Sequence, residues 1–144
     1  MVNVSEKKIT QRSATARSIV VLPQEVLDQF QNGDITTKKG SVFQIAIIAG
    51  VMAAKKTGEL IPLCHPLGLD DCQIIIEFNE AQEVVIECTT TITAKTGVEM
   101  EALMGASVAA LTIYDMCKAM SHDIVIKETK LMQKSGGKHD FSRN

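Results

Sequence analysis

The chain predicts an α+β domain, an antiparallel sheet carrying two helices on one face. Three observations predict it. The residues Ala102–Tyr114 carry no charge, and they stand between Glu99 and Glu101 on one side and Asp115 on the other. That is a helix with almost no polar face. Segments 72–78 and 83–94 are β-rich and are separated by the polar Asn79-Glu80-Ala81-Gln82, which reads as a hairpin. The whole chain orders its segments as strand, helix, strand, strand, helix, strand.

Taken in order, residues 1–15 are polar and read as irregular, and 16–22 as the first strand. Pro23 opens a short helical stretch with Val26, Leu27 and Phe30 at helical spacing and Gly33 behind it. Residues 41–57 form the first long helix, with Ser41 as N-cap, Gly58 as terminator, and Ile45, Ile48, Ala49 and Met52 as its apolar face. The segment 60–69 holds two prolines and belongs to no regular element, but its apolar content packs it down. In the second hairpin strand Val84, Ile86, Cys88, Thr90 and Ile92 make the core face. A helix over 97–120 follows, then a strand over 123–134 with Ile124, Ile126, Leu131 and Met132 inward. This order is that of the β-α-β-β-α-β plait of ferredoxin-like domains. One domain over 1–144 is expected, with 1–15 and 135–144 flexible.

Composition narrows the function classes. Net charge is -2, and there is no Trp and one Tyr, so the chain lacks both the field and the stacking surfaces of a nucleic-acid binder. The uncharged run is too short to cross a membrane, which takes about 20 apolar residues. Its second cover is most simply another subunit, with Gly105, Ala106, Ala109 and Ala110 giving close contact. The start lacks the apolar core of a signal peptide. Cys64, Cys72, Cys88 and Cys117 include no CxxC pair and read as reduced thiols of a cytoplasmic protein. No metal site is expected, because the ligand spacing of zinc is missing.

Several groups could do chemistry. Asp115 and Lys118 lie at i and i+3, where they can meet on one helix face. Emerging from a buried helix, the pair is expected to be partly buried, unlike a plain surface ion pair. Lys38 and Lys39 precede a helix start, where cations are disfavoured, so either a solvated loop tolerates the repulsion or an anion sits there too. Glu99 follows Thr96 with capping-box spacing, so capping competes with a binding role. Glu101, in the first turn, is either an exposed charge or a site carboxylate. His65 is held between Cys64 and Pro66, as a core histidine or as a positioned donor. Lys134-Ser135-Gly136-Gly137-Lys138 is a flexible end that could wrap phosphate.

Together these strings resemble the cyclic pyranopterin monophosphate synthase family of molybdenum-cofactor biosynthesis. The most specific are Leu60-Ile61-Pro62-Leu63-Cys64-His65-Pro66-Leu67, Lys95-Thr96-Gly97-Val98-Glu99-Met100-Glu101-Ala102-Leu103 and Ile113-Tyr114-Asp115-Met116-Cys117-Lys118. Lys39-Gly40-Ser41-Val42 and the Lys134–Lys138 segment accompany them in family order.

The resemblance implies a ferredoxin-like subunit in a homohexamer, a trimer of dimers with active sites at the dimer interface. It implies a lyase that rearranges a cyclised dihydro form of GTP to a pterin fused to a pyran ring, closes a cyclic phosphate and releases pyrophosphate. Lys39, Lys118 and Asp115 match the family's catalytic residues, and Leu63, Cys64, His65, Glu99, Met100, Glu101 and Lys134 match pocket residues. No resident cofactor is implied; magnesium could arrive with the triphosphate. Three positions depart from the family: Asn3 stands where aspartate is usual, Ser41 where aspartate or a similar cap is usual, and Ile47 where arginine is common. If that arginine binds phosphate, another cation must serve here. The rivals are a nucleotide- or RNA-binding plait without catalysis, and a structural oligomer whose charges only join subunits.

Overall fold

Strand β1 (Thr10–Val21) is the spine of the fold. It is followed by helix α1 (Gln24–Leu27), the short strands β2 (Phe30–Gln31), β3 (Asp34–Thr37) and β4 (Gly40–Ser41), and helices α2 (Val42–Lys55) and α3 (Thr57–Leu60). The second half comprises β5 (Asp71–Phe78), β6 (Val84–Ala94), α4 (Glu99–Cys117), β7 (Val125–Ser135) and β8 (Phe141–Ser142). The computed structural model describes residues 1–144.

The main sheet runs β5-β6-β1-β7-β8, antiparallel throughout. Without the short β8 this is the strand order of the ferredoxin-like plait, as the sequence predicts. On the inner face Ala14, Ala16, Ser18 and Val20 of β1 lie opposite Thr90, Cys88, Ile86 and Val84 of β6, all fully buried. Helices α2 and α4 cover that face.

β1 starts earlier than the sequence suggests, because alanine and threonine disguise its alternation. Ala14 is buried inward, while Thr15 turns outward and bonds Thr89 across the ladder, Oγ1 to Oγ1 at 2.8 Å. Phe30 is not helical. Asn32 and Gly33 both take positive φ, 54° and 82°, which makes the turn of a β2–β3 hairpin. Phe30 then stacks edge-on against Phe78 at 5.0 Å and sits 6.1 Å from Phe43. In β7, Ile124 just ahead of the strand and Met132 are buried as expected, and Leu131 is half-buried. Ile126 is 38% exposed, beside the register shift at Ile19/Val20.

The two long helices orient differently from the sequence reading. α2 buries Val42, Phe43, Ala46, Gly50, Ala53 and Ala54, and leaves Ile48 and Met52 outward. α4 turns Gly105, Ala106, Ala109 and Ala110 into its own domain, not towards a partner. The reason is close approach. A Cβ at Gly50 would lie 2.8 Å from the Gly105 carbonyl oxygen, and one at Gly105 would strike the Cys88 sulfur. The small residues therefore settle the α2–α4 contact, and Met100 and Leu111 stay exposed on the outer side with Met104 and Val108 partly so.

Helix ends are set from a distance. Ser41 makes no cap bond; the Asp34 carboxylate accepts from the Phe43 amide at 2.8 Å and the Gln44 amide at 3.3 Å instead. At the far end the buried Thr57 hydroxyl donates to the Ala54 carbonyl at 2.9 Å. Gly58 lies inside α3 and does not terminate α2. Its Cβ would come within 2.9 Å of Pro66 Cα, so the gap brings the proline loop down on this corner.

Candidate functional site

The β3–β4 hairpin pairs Thr36 with Ser41 and Thr37 with Gly40, leaving Lys38 and Lys39 at its tip. Gly40 closes this turn at φ 117°. The anion expected at the start of α2 is the chain's own Asp34, so Lys39 is free to reach elsewhere. Its Nζ donates to Asp115 Oδ2 at 2.9 Å and to the Asp115 carbonyl at 3.2 Å. Lys118 Nζ meets the other carboxylate oxygen, Oδ1, at 3.2 Å. One carboxylate thus holds two ammonium groups at once.

This cluster opens on a hollow of about 520 Å³ lined by Thr36, Lys39, Asp115, Lys118 and Met120. The hydrogen bonds from Lys39, then Lys118, hold the Asp115 carboxyl below the usual range. The cluster is not buried as the sequence suggested. Side-chain exposure is 52% for Lys39, 53% for Asp115 and 56% for Lys118. Asp115 and Lys118 stand on the side of α4's last turn that faces away from the core, while Met116 and Cys117 on its other side are buried in it.

The other end of α4 carries the second group. Its N-cap position is Val98, and no side chain caps it, so the Thr96–Glu99 capping box does not form. Glu99 instead folds over Gly97, where any Cβ would collide with its carboxylate. Glu101 is 2% exposed and faces the proline loop, with the Cys64 thiol 3.9 Å from its Oε2. It has no cation partner. Burial, and then the Glu99 charge, raises its pKa. Burial beside Glu101 also raises the Cys64 thiol. His65 Nε2 lies 2.8 Å from the Val2 carbonyl oxygen. Leu63 and Met100 are 72% and 39% exposed.

Lys134 pairs with Ala14 near the start of β1, and Thr10 at that end pairs with Ala94, three residues before Gly97. Lys134 therefore belongs to the Glu99 end of the fold. Arg12 lies there too, a cation the sequence reading passed over inside a stretch taken as irregular. Its Nη2 donates to the Lys95 carbonyl at 3.1 Å, its Nε is buried without a partner, and its guanidinium lies against Gly137. Its signal would have been the alternation of β1.

The fold thus assembles two groups at opposite ends of one helix. Residues 1–137 match the model of the MoaC family. The chain belongs to the MoaC family. It is 54% identical over 141 residues to the cyclic pyranopterin monophosphate synthase of Xanthomonas campestris pv. campestris (strain 8004), covering 98% of this chain and 86% of that protein. It is 51% identical over 144 residues to the protein of the same name from Brevibacillus brevis, covering 99% and 89%. It is also 50% identical over 147 residues to a molybdenum cofactor biosynthesis bifunctional protein of Synechocystis, covering 99% of this chain and 42% of that one.

As a MoaC-family chain it brings Lys39, Asp115 and Lys118 together at one end, and Cys64, Glu99 and Glu101 together at the other, with His65 beside Cys64. The chain does not bring the two sets together, because they stand at opposite ends of α4. No three His, Cys, Asp or Glu side chains are grouped so that they could hold a metal ion. All four cysteines are free, Cys88 and Cys117 buried and Cys64 and Cys72 half-buried. No helix is long and apolar enough to cross a membrane.

Proposed function

We propose that this protein is a lyase of molybdenum-cofactor biosynthesis that converts a cyclised dihydro form of GTP to cyclic pyranopterin monophosphate and pyrophosphate. The observation that carries the reading is the Lys39–Asp115–Lys118 cluster at the mouth of a hollow, in a chain about half identical to proteins of that name. Substrate and product differ by ring rearrangement, phosphate cyclisation and loss of pyrophosphate. Proton transfers suffice, and no redox group enters the balance.

The residues divide the work by their chemistry. Two ammonium groups sharing one carboxylate are placed to give and take protons as the five-membered ring opens and the pterin closes. Asp115 keeps both oriented. Glu99 and the unpaired Glu101 accept N–H donors of the guanine-derived ring. Leu63, Cys64, His65 and Met100 line the ring's surroundings, and Lys134 with Arg12 supplies cations for the triphosphate where Ile47 offers none. Magnesium would travel with the triphosphate as part of the substrate, and no resident cofactor is required.

The working unit is a homohexamer, a trimer of dimers, in the cytoplasm. Two features support the dimer. Glu101 and Asp115 stand about 21 Å apart along α4 at about 1.5 Å per residue, too far for one small ligand. The outer helix face is apolar, with Ile48 59%, Met52 51% and Leu111 58% exposed. Two copies running antiparallel cover that face and set one chain's Glu101 near its partner's Asp115, making two equivalent sites. The hexamer rests on the family resemblance, and the compartment on the free thiols. Native mass spectrometry is expected to show six chains; a stable monomer would refute the shared site.

The decisive experiment supplies the cyclised nucleotide to the pure protein and weighs the products. Cyclic pyranopterin monophosphate and an equal amount of pyrophosphate are expected. Unchanged substrate after prolonged incubation overturns the assignment.

A further inference from the structure

The N-terminal segment adds almost nothing to the core. Met1 and Val2 are 71% and 72% exposed, and Ile9 is 64% exposed. Ordering such residues costs backbone entropy that burial does not offset. The segment is nevertheless held at several points. The Asn3 side chain accepts from the Ser5 amide at 2.9 Å, which closes a local turn. The Lys7 amide donates to the Val4 carbonyl at 3.0 Å. Lys95, the residue that leads into Thr96-Gly97, donates its Nζ to the Ser5 carbonyl at 3.3 Å. The outcome of this bracing is one contact with the site: the Val2 carbonyl oxygen 2.8 Å from His65 Nε2.

A carbonyl oxygen only accepts, so the imidazole must donate. That fixes the proton on Nε2. The other nitrogen, Nδ1, is then the ring's single acceptor in the neutral form, and the ring plane is held by the bond opposite. The main chain of His65 is braced separately, where Pro66 and the His65 carbonyl pack against Gly58.

We propose that residues Met1–Ser5 act as a positioning strap, whose Val2 carbonyl locks His65 as the Nε2–H tautomer and so commits Nδ1 to accept a hydroxyl or ring N–H of the substrate. This rests on the reading of His65 as a substrate contact. Asn3 and Lys95 act through the strap, as positioning residues. The Asn3 departure keeps this role, because its side-chain oxygen accepts the Ser5 amide as an aspartate would.

The test uses the whole, isotope-labelled protein and a variant lacking Val2 and Asn3. Nitrogen-15 NMR is expected to show the His65 proton on Nε2, slow to exchange with solvent and close in space to Val2. In the shortened variant the Nε2 proton is expected to exchange freely. Its kcat/KM should fall about 10-fold or more, as when a partner orienting a histidine is removed, with an unchanged urea midpoint. Lys95→Ala should give a smaller loss in the same direction. A proton on Nδ1, a freely exchanging ring proton in the full chain, or normal kcat/KM in the shortened variant overturns the proposal. If the full chain fails to turn over the cyclised nucleotide, the functional reading fails, while the ring-proton measurement still decides whether the strap locks His65.

Discussion

Lys39 and Asp115 are separated by 76 positions in the chain, yet Nζ and Oδ2 meet at 2.9 Å. The contact joins a hairpin tip to the last turn of a helix. It depends on Asp34, which takes the place at the start of α2 that would otherwise attract an external anion.

Lys39→Ala and Lys118→Ala are each expected to lower single-turnover rates by about 10²–10⁴-fold, the usual worth of a general acid–base group. Both side chains are more than half exposed, so the thermal midpoint should stay near that of the parent. Near-normal turnover in either variant would remove that lysine from the reaction.

Glu101→Gln separates function from stability. Burial raises the Glu101 pKa, so the folded chain holds that proton more tightly than the unfolded chain. Stability of the parent therefore falls as pH rises from the ordinary glutamate range through the raised value. The glutamine variant escapes this loss. It should match the parent at acid pH and exceed it above that window, while losing activity. Urea unfolding across a pH series checks it, and a difference that stays constant with pH would contradict the account.

Asp34→Ala should cost about 0.5–2 kcal/mol through the lost cap of α2. It should also reduce turnover, because the β3–β4 hairpin carries Lys39. Asp34→Asn, which keeps an acceptor oxygen, should recover much of the stability. An alanine variant with an unchanged urea midpoint would show that the cap contributes nothing.

Glu101→Ala and Lys118→Ala are each expected to be inactive alone. Mixed under conditions that exchange subunits, they should recover activity, because a mixed dimer has one site with both defects and one with neither. Recovery of none, with exchange demonstrated by mass, would place all the reacting groups within one subunit.

The sequence by itself determined the order of the four long strands and two long helices, the β5–β6 hairpin and its buried face, and the identity of the residues at both ends of α4, but not the small β2-β3-β4 sheet or β8. Alternation and helical periodicity are local properties, and the motif strings are long enough to be specific. The tertiary structure alone decided which helix faces point inward. Periodicity marked Ile45, Ile48, Ala49 and Met52 as the core face of α2, but large apolar residues could not pack where Gly50 approaches Gly105. It also decided the caps, since Asp34 and Thr57 reach ends that Ser41 and Gly58 seemed placed to serve in sequence. The burial of Glu101 and the exposure of Asp115 were likewise beyond the sequence. Both are charges at the ends of one apolar helix; Glu101 lies under the proline loop, while Asp115 faces outward from a turn whose Met116 and Cys117 enter the core.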